Sequence, residues 1–260
     1  MTDHRTSFKA LCWGAMVGGF AAFMYCAPAY WAASVLSRAS QGRVLLIDPQ
    51  GSLWRGNAQL ALSSGLGGTQ ATALPGRIEW QLHWTHWSTA EIDVWAPCCM
   101  AHRARTQLSW NWPGLSIALG DAEIHWSAQW LQALGAPWNT VQLLGELAFK
   151  SLDAQVNLKD KDVSLLGQVQ LSLHGLSSRL STVKPLGSYL VVVSGSPTLG
   201  LNLTTLDNSR LILKGVGQWK QGRLQFDGVA QTAAGDENTL SNLLNVLGQR
   251  RGNEAQLHFE

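Results

Sequence analysis

Beyond residue 38 the chain alternates apolar and polar positions with period two along nearly its whole length. Ile78, Trp80, Leu82 and Trp84 alternate with Glu79, Gln81 and His83; Leu108, Trp110 and Trp112 with Gln107, Ser109 and Asn111; Ala122, Ile124 and Trp126 with Glu123 and His125. Further on, Ala154, Val156 and Leu158 alternate with Asp153, Gln155 and Asn157, Val169, Leu171 and Leu173 with Gln168, Gln170 and Ser172, and Leu199, Leu201 and Leu203 with Gly200 and Asn202. Successive side chains on a strand point to opposite faces, so this pattern predicts half-buried strands with one wet face. A wet face favours antiparallel meanders over a parallel sheet covered by helices. Trp112-Pro113-Gly114, Gly120-Asp121 and Asp207-Asn208 supply turns. The expected fold is mainly β, an antiparallel, curled meander sheet or sandwich.

Two segments break the alternation. Leu240, Leu243, Leu244 and Leu247 stand at i, i+3, i+4 and i+7, with Asp236 as N-cap, Gly248 as terminator and Arg250 and Arg251 near the negative end of the dipole. They predict a short C-terminal helix of about three turns, packed across the mouth or edge of the sheet. At the other terminus, residues 10–37 contain no charged side chain. About 20 apolar residues cross a bilayer core, so this stretch is expected to be a transmembrane helix. Arg5 and Lys9 precede it and Arg38 follows, which favours a cytoplasmic segment 1–9 and places 38–260 outside the cytoplasm. Tyr30 and Trp31 suit an interfacial aromatic belt. Two other readings are open. Ala27-Pro28-Ala29 fits a signal-peptide cleavage site, although the uncharged run continues past it. A buried soluble helix would have little to pack against at an extreme terminus.

Composition sharpens this picture. The 260 residues carry a net charge of +2, with 46% hydrophobic and 14% charged residues and 13 tryptophans. So large an apolar fraction argues against disorder, and the absence of a strong basic excess argues against nucleic-acid binding. Ten tryptophans lie between Trp54 and Trp138, so a Trp-rich half, 38–138, precedes a Trp-poor half, 139–260, that holds only Trp219. Alternation puts Trp80, Trp84, Trp110, Trp112 and Trp126 on the apolar face, where they are expected to fill a core. The competing reading is an aromatic platform for sugar, lipid or peptide.

Candidate chemistry is sparse. Ser181-Thr182-Val183-Lys184 matches the Ser-x-x-Lys of penicillin-binding enzymes, but their Ser-Asp-Asn and Lys-Thr-Gly partners are missing. No Gly-x-Ser-x-Gly, His-Glu-x-x-His or phosphate-binding glycine loop occurs. His83 and His86, three apart on a strand, point to opposite faces. Cys98 and Cys99 lack a second pair at zinc-ligand spacing, so they read as a solvent-near pair without metal; a vicinal disulfide is conceivable in an oxidising compartment but geometrically awkward. Neither an enzyme nor a cofactor or metal site is expected.

Two Trp/Gly motifs stand out. Gly51-Ser52-Leu53-Trp54-Arg55-Gly56 precedes alternating Ala58, Leu60 and Leu62. Near the end, a strand through Gly215, Gly217 and Trp219 turns at Gln221-Gly222 and returns through Leu224, Phe226 and Gly228, a hairpin with Leu224 and Phe226 on one face. Together with the apolar N-terminal segment, Leu-Pro-Gly-Arg-Ile-Glu-Trp at 74–80, the stretch from Leu186-Gly187-Ser188-Tyr189, and Leu243-Leu244-Asn245-Val246-Leu247-Gly248, these motifs resemble the type II secretion system protein N family. The signature positions are Gly51, Trp54, Gly56, Gly215, Gly217, Trp219, Gly222, Phe226, Gly228, Leu243, Leu244 and Gly248.

The resemblance implies a non-enzymatic accessory subunit of the inner-membrane platform that helps export folded proteins across the outer membrane. It implies a single-pass anchor with the β-domain in the periplasm. Expected partners are the protein C subunit, with proteins L and M as further candidates, and indirectly the outer-membrane secretin. The rival expectation is an AsmA-like periplasmic lipid-handling protein, in which the sheet curls around an open apolar groove. A filled core favours the scaffold.

Overall fold

The computed structural model describes residue 18 and residues 26–65, 71–135, 138–159, 162–195, 198–206, 208–220, 223–237 and 239–259. The alternating segments form strands β1 (Val44–Gly51), β2 (Arg55–Ser63), β3 (Ala71–Ala73), β4 (Ile78–His86), β5 (Thr89–Trp95), β6 (Ala104–Asn111), β7 (Gly114–Leu119), β8 (Glu123–Ser127), β9 (Leu143–Lys159), β10 (Asp162–Ser178), β11 (Gly187–Ser194), β12 (Gly200–Thr205), β13 (Leu211–Lys220), β14 (Arg223–Thr232), β15 (Gln249–Arg251) and β16 (Glu254–Phe259). All join one antiparallel sheet in the order β1-β2-β4-β5-β6-β7-β9-β10-β11-β12-β13-β14-β16-β15, with β3 on β2 and β8 on β9. It is a meander and not a sandwich, and it runs without interruption across the boundary between the Trp-rich and Trp-poor halves.

The two longest strands hold the sheet together. β9 takes β7 along its second half and β8 along its first. Ser151 clasps the break between those partners: its hydroxyl donates to the Gly120 carbonyl at 2.6 Å and accepts from the Ala122 N–H at 2.9 Å. Close by, the β9–β10 register shifts between Leu166 and Gln168. Asp153 (φ 45°) and Gly167 (φ 75°) take left-handed conformations there, and a Cβ on Gly167 would strike the Asp153 carbonyl. Such a bulge bends both strands and increases their twist.

One face of the sheet carries a continuous apolar stripe. It runs from Ala58 and Trp80, through Leu74, Ala96 and Met100, then Leu143, Leu147, Leu176 and Tyr189, to Leu211, Phe226, Ala230 and Leu257. Short elements cover it in turn: helix α1 (Ala29–Ala39), the 96–100 turn, a 3₁₀ helix (Ala128–Leu134) followed by α2 (Trp138–Val141), and α3 (Ser241–Leu247). Both outer strands are blunted against further pairing. β1 breaks register at Asp48-Pro49, where Arg77 ties Asp48 to Asn57, and β15 is three residues long.

The meander also separates two ends. The β1–β2, β4–β5, β6–β7, β9–β10 and β13–β14 connections are tight and share one end, whereas the 96–103 loop, the 3₁₀ helix, the 179–186 loop and α3 gather at the other.

Several sequence expectations need correction. The C-terminal stripe is helical, with Leu240, Leu243 and Leu244 at 0–2% exposure, but the helix has seven residues and is not capped by Asp236. Instead the Asp236 carbonyl takes the Leu240 N–H in a preceding turn and its carboxylate lies 3.9 Å from Arg210, while Arg250 and Arg251 belong to β15. Cys98 and Cys99 are joined as a vicinal disulfide, with Cys99 in the core beside Met100. Trp80 and Trp126 pack in the core, but Trp84, Trp110 and Trp112 do not, at 53%, 42% and 99% exposure. Alternation fixes the face a residue occupies; these three lie at strand ends that α1 and the loops do not reach.

Among the described residues no helix is long and apolar enough to cross a membrane. Most of the expected anchor, together with residues 1–9, lies outside them. Its last part, from Ala29, is α1, with Ala29 and Ala33 buried and Ala29 packed on Ala58 and Trp80.

Candidate interaction surface

The signature glycines make room for aromatic rings. Gly51 (φ 85°) pairs with Gly56 across the β1–β2 turn, which is closed by the Ser52 N–H on the Arg55 carbonyl at 2.8 Å. Gly56 faces Trp80 across to β4, and a Cβ there would fall 2.5 Å from the indole Cζ2. The Trp80 Nε1–H then donates to the Leu53 carbonyl at 3.1 Å. The same device recurs at the other edge, where Phe226 lies over Gly215, Gly217 and Gly228: Cβ atoms at Gly217 and Gly228 would stand 3.3 and 2.9 Å from the ring, and one at Gly215 would overlap it. Trp219 shares this face but is 41% exposed. Leu243 and Leu244 anchor α3 in the same cluster. A Cβ on Gly248 would strike the Gln256 carbonyl; its φ of −174° is ordinary extended backbone. Gly222 lies outside the described residues.

Ser181, Lys184, His83 and His86 have structural surroundings. The Ser181 hydroxyl is buried and accepts the Val183 N–H at 3.1 Å in a local turn, and Lys184 is exposed. His83 sits 3.2 Å from Glu91 within a cross-strand row in which Arg105 bonds Asp93 at 3.0 Å, and His86 is exposed. The hydrogen bond to Asp93, with the charges of Asp93 and Glu91, holds the Arg105 guanidinium above its ordinary range. Burial pushes the Tyr189 phenol up, and its hydroxyl donates to the Leu211 carbonyl at 2.9 Å. Among the described residues no three His, Cys, Asp or Glu side chains gather as a metal site.

Two surfaces remain. At the C-terminal edge a cleft of about 1080 Å³ opens over β12–β16, with half of its lining polar or charged, including Asn202, Lys214, Asp227, Gln256 and His258 beside Val216 and Leu247. His258 Nδ1 lies 2.6 Å from Asp227. Nothing in the alternation marks this cleft, because it is made by β12, β13, β14 and β16 meeting the end of α3 and the start of β15. The other surface is the tight-turn end of β1–β7. Trp84 stacks on Trp110 with centroids 5.4 Å apart, Trp54 lies 6.5 Å from Trp84, and Trp87 and Trp112 project from the turns at 93% and 99% exposure. A usable sequence signal did exist for three of them: Trp54, Trp87 and Trp112 fall in turns, whereas Trp84 and Trp110 stand within alternating runs near their ends.

No curated protein and no solved structure matches the chain. A family profile described as type II secretion system (T2SS), protein N, matches residues 42–257, from just before β1 into β16. That family is a secretion accessory component, whose members work with other components of the secretion system. With most of its length and nearly the whole sheet inside the match, the chain belongs to the type II secretion system protein N family.

Proposed function

We propose that this chain is a non-catalytic scaffold of the inner-membrane platform in type II secretion, held by a single N-terminal anchor with its β-domain in the periplasm. The observation that carries this reading is the family match over nearly the whole sheet, 42–257, placed after an uncharged N-terminal run. Because Ala27 is buried and α1 starts at Ala29, the spanning segment shortens to residues 10–26. About 17 residues at 1.5 Å each reach ~25 Å, the short end of what crosses a bilayer. Arg5 and Lys9 before it favour a cytoplasmic N-terminus. The Cys98–Cys99 disulfide suits an oxidising compartment.

The scaffold contacts the protein C subunit, and through it the outer-membrane secretin, with proteins L and M as further neighbours. Surfaces rather than edge strands make these contacts, since both sheet edges are blunted. A lipid carrier needs a continuous apolar groove, whereas here the apolar stripe is covered by α1, the 3₁₀ helix and α3. The test is deletion and complementation. Loss of the chain should leave folded cargo in the periplasm, and Ser181→Ala, Lys184→Ala and His83→Ala should each restore export. Unimpaired export without the chain, or failure of one of these variants while it is still folded, would overturn the proposal.

A further inference from the structure

The exposed tryptophans sit where the chain leaves the fold. The Leu53 N–H donates to the Ala27 carbonyl at 2.8 Å, and Pro28 bridges to Ser52. Residue 26 therefore departs from the β1–β2 turn, beside Trp54 in that same turn. Antiparallel order places the β4–β5 turn, with Trp87, and the β6–β7 turn, with Trp112, at this end too.

We infer that this end of the sheet rests in the headgroup layer of a lipid bilayer, with Trp87 and Trp112 as the deepest side chains and the Trp54–Trp84–Trp110 cluster behind them. Indole rings are amphipathic and concentrate at the membrane–water interface. Exposed indole rings gathered on one aqueous surface, as Trp84, Trp87, Trp110 and Trp112 are, mark an interaction site. The occupant is lipid because the uncharged segment 10–26 runs up to this point: a segment that spans the bilayer holds its point of exit at the surface. Arg55, exposed at the start of β2 beside Trp54, suits anionic headgroups. The inference rests on the anchor reading above. It adds an orientation, with the strands rising from the membrane and the loops, disulfide and α3 at the far end. β9 alone has 17 residues and spans about 55 Å, so that end stands well clear of the headgroups.

The test uses the full chain labelled with 5-fluorotryptophan in nanodiscs of three parts phosphatidylethanolamine to one of phosphatidylglycerol, doped with a gadolinium-chelating lipid. Single Trp→Phe variants assign the fluorine signals. Trp87 and Trp112 should lose most of their intensity while Trp138, at the far end, keeps its own. Retained Trp87 and Trp112 signals overturn the docking whatever Trp13 does. Trp13, within the apolar segment, separates the two claims: broadened alone, it leaves the anchor standing without the docking, and unbroadened, it removes the anchor as well. Trp87 and Trp112 signals that ignore lipid but shift on adding peptidoglycan fragments would identify a sugar platform instead.

Discussion

The Phe226 cradle makes the sharpest energetic prediction. Phe226 is 7% exposed at the centre of the C-terminal cluster, so Phe226→Ala should cost roughly 3–5 kcal/mol, the usual range for truncating a buried aromatic ring. Its fit depends on three glycines. A methyl group on Gly215 would overlap the ring Cζ and stand 2.9 Å from Cε2, where carbon atoms prefer about 3.5–4.0 Å. The ring has nowhere to retreat, because Gly228 and Gly217 bound it on the other sides. Gly215→Ala should therefore cost about 2–3 kcal/mol by overpacking. Once Phe226 is Ala, the nearest atom left against the new methyl is the Asp227 carbonyl oxygen at 3.0 Å, and Gly→Ala in a strand is ordinarily favourable by about 0.5–1 kcal/mol. In that background Gly215→Ala should be close to neutral, a coupling of about 2 kcal/mol or more. Urea denaturation of the four proteins at equal m-value gives the cycle. Additive costs would refute the cradle and leave the glycines without a structural explanation.

Other consequences are measurable in the same way. Ser151→Ala leaves the Gly120 carbonyl and Ala122 N–H without their partner and should cost about 1–3 kcal/mol, read by denaturation. Leu244→Asp buries an unpaired charge at a fully enclosed position and should abolish folding, as judged by loss of soluble protein, whereas Trp219→Ala, half in solvent, should cost far less than Phe226→Ala. The raised Tyr189 value means that its stabilising effect is complete below the ordinary phenol value of about 10 and is lost as pH climbs above it; Tyr189→Phe should flatten that alkaline slope in a pH series of melts. Alkylation of protein purified from cells should modify two of the four cysteines before reduction and all four after it, with Cys98 and Cys99 as the protected pair.

Strand content, antiparallel order and the core face of the C-terminal hairpin were legible because alternation is a local signal that the sheet then respects. Phe226 faces in, and Asp227 beside it faces out, as the period requires. The same signal misplaced Trp84, Trp110 and Trp112, because burial depends on which distant segment covers a strand end, and α1 and the loops stop short of them. The helix at Leu240–Leu247 was legible from its stripe but not its start, since Asp236 was drawn into a turn and a contact with Arg210. The glycines at 56, 215 and 228 were visible as a motif, yet their purpose was not, because the rings over Gly56 and Gly215 come from a neighbouring strand, Trp80 from β4 and Phe226 from β14. The cleft over β12–β16 had no sequence signal at all.

The scaffold account is tested most directly by in-cell photocrosslinking from exposed positions around the β-domain, with the cleft residues Asn202 and Lys214 compared against Trp87 and Trp112 at the turn end. The account predicts that cleft positions capture inner-membrane secretion subunits, the protein C subunit first among them, while the turn-end positions capture phospholipid. Capture of phospholipid alone from every position, with no secretion subunit at any of them, would contradict it.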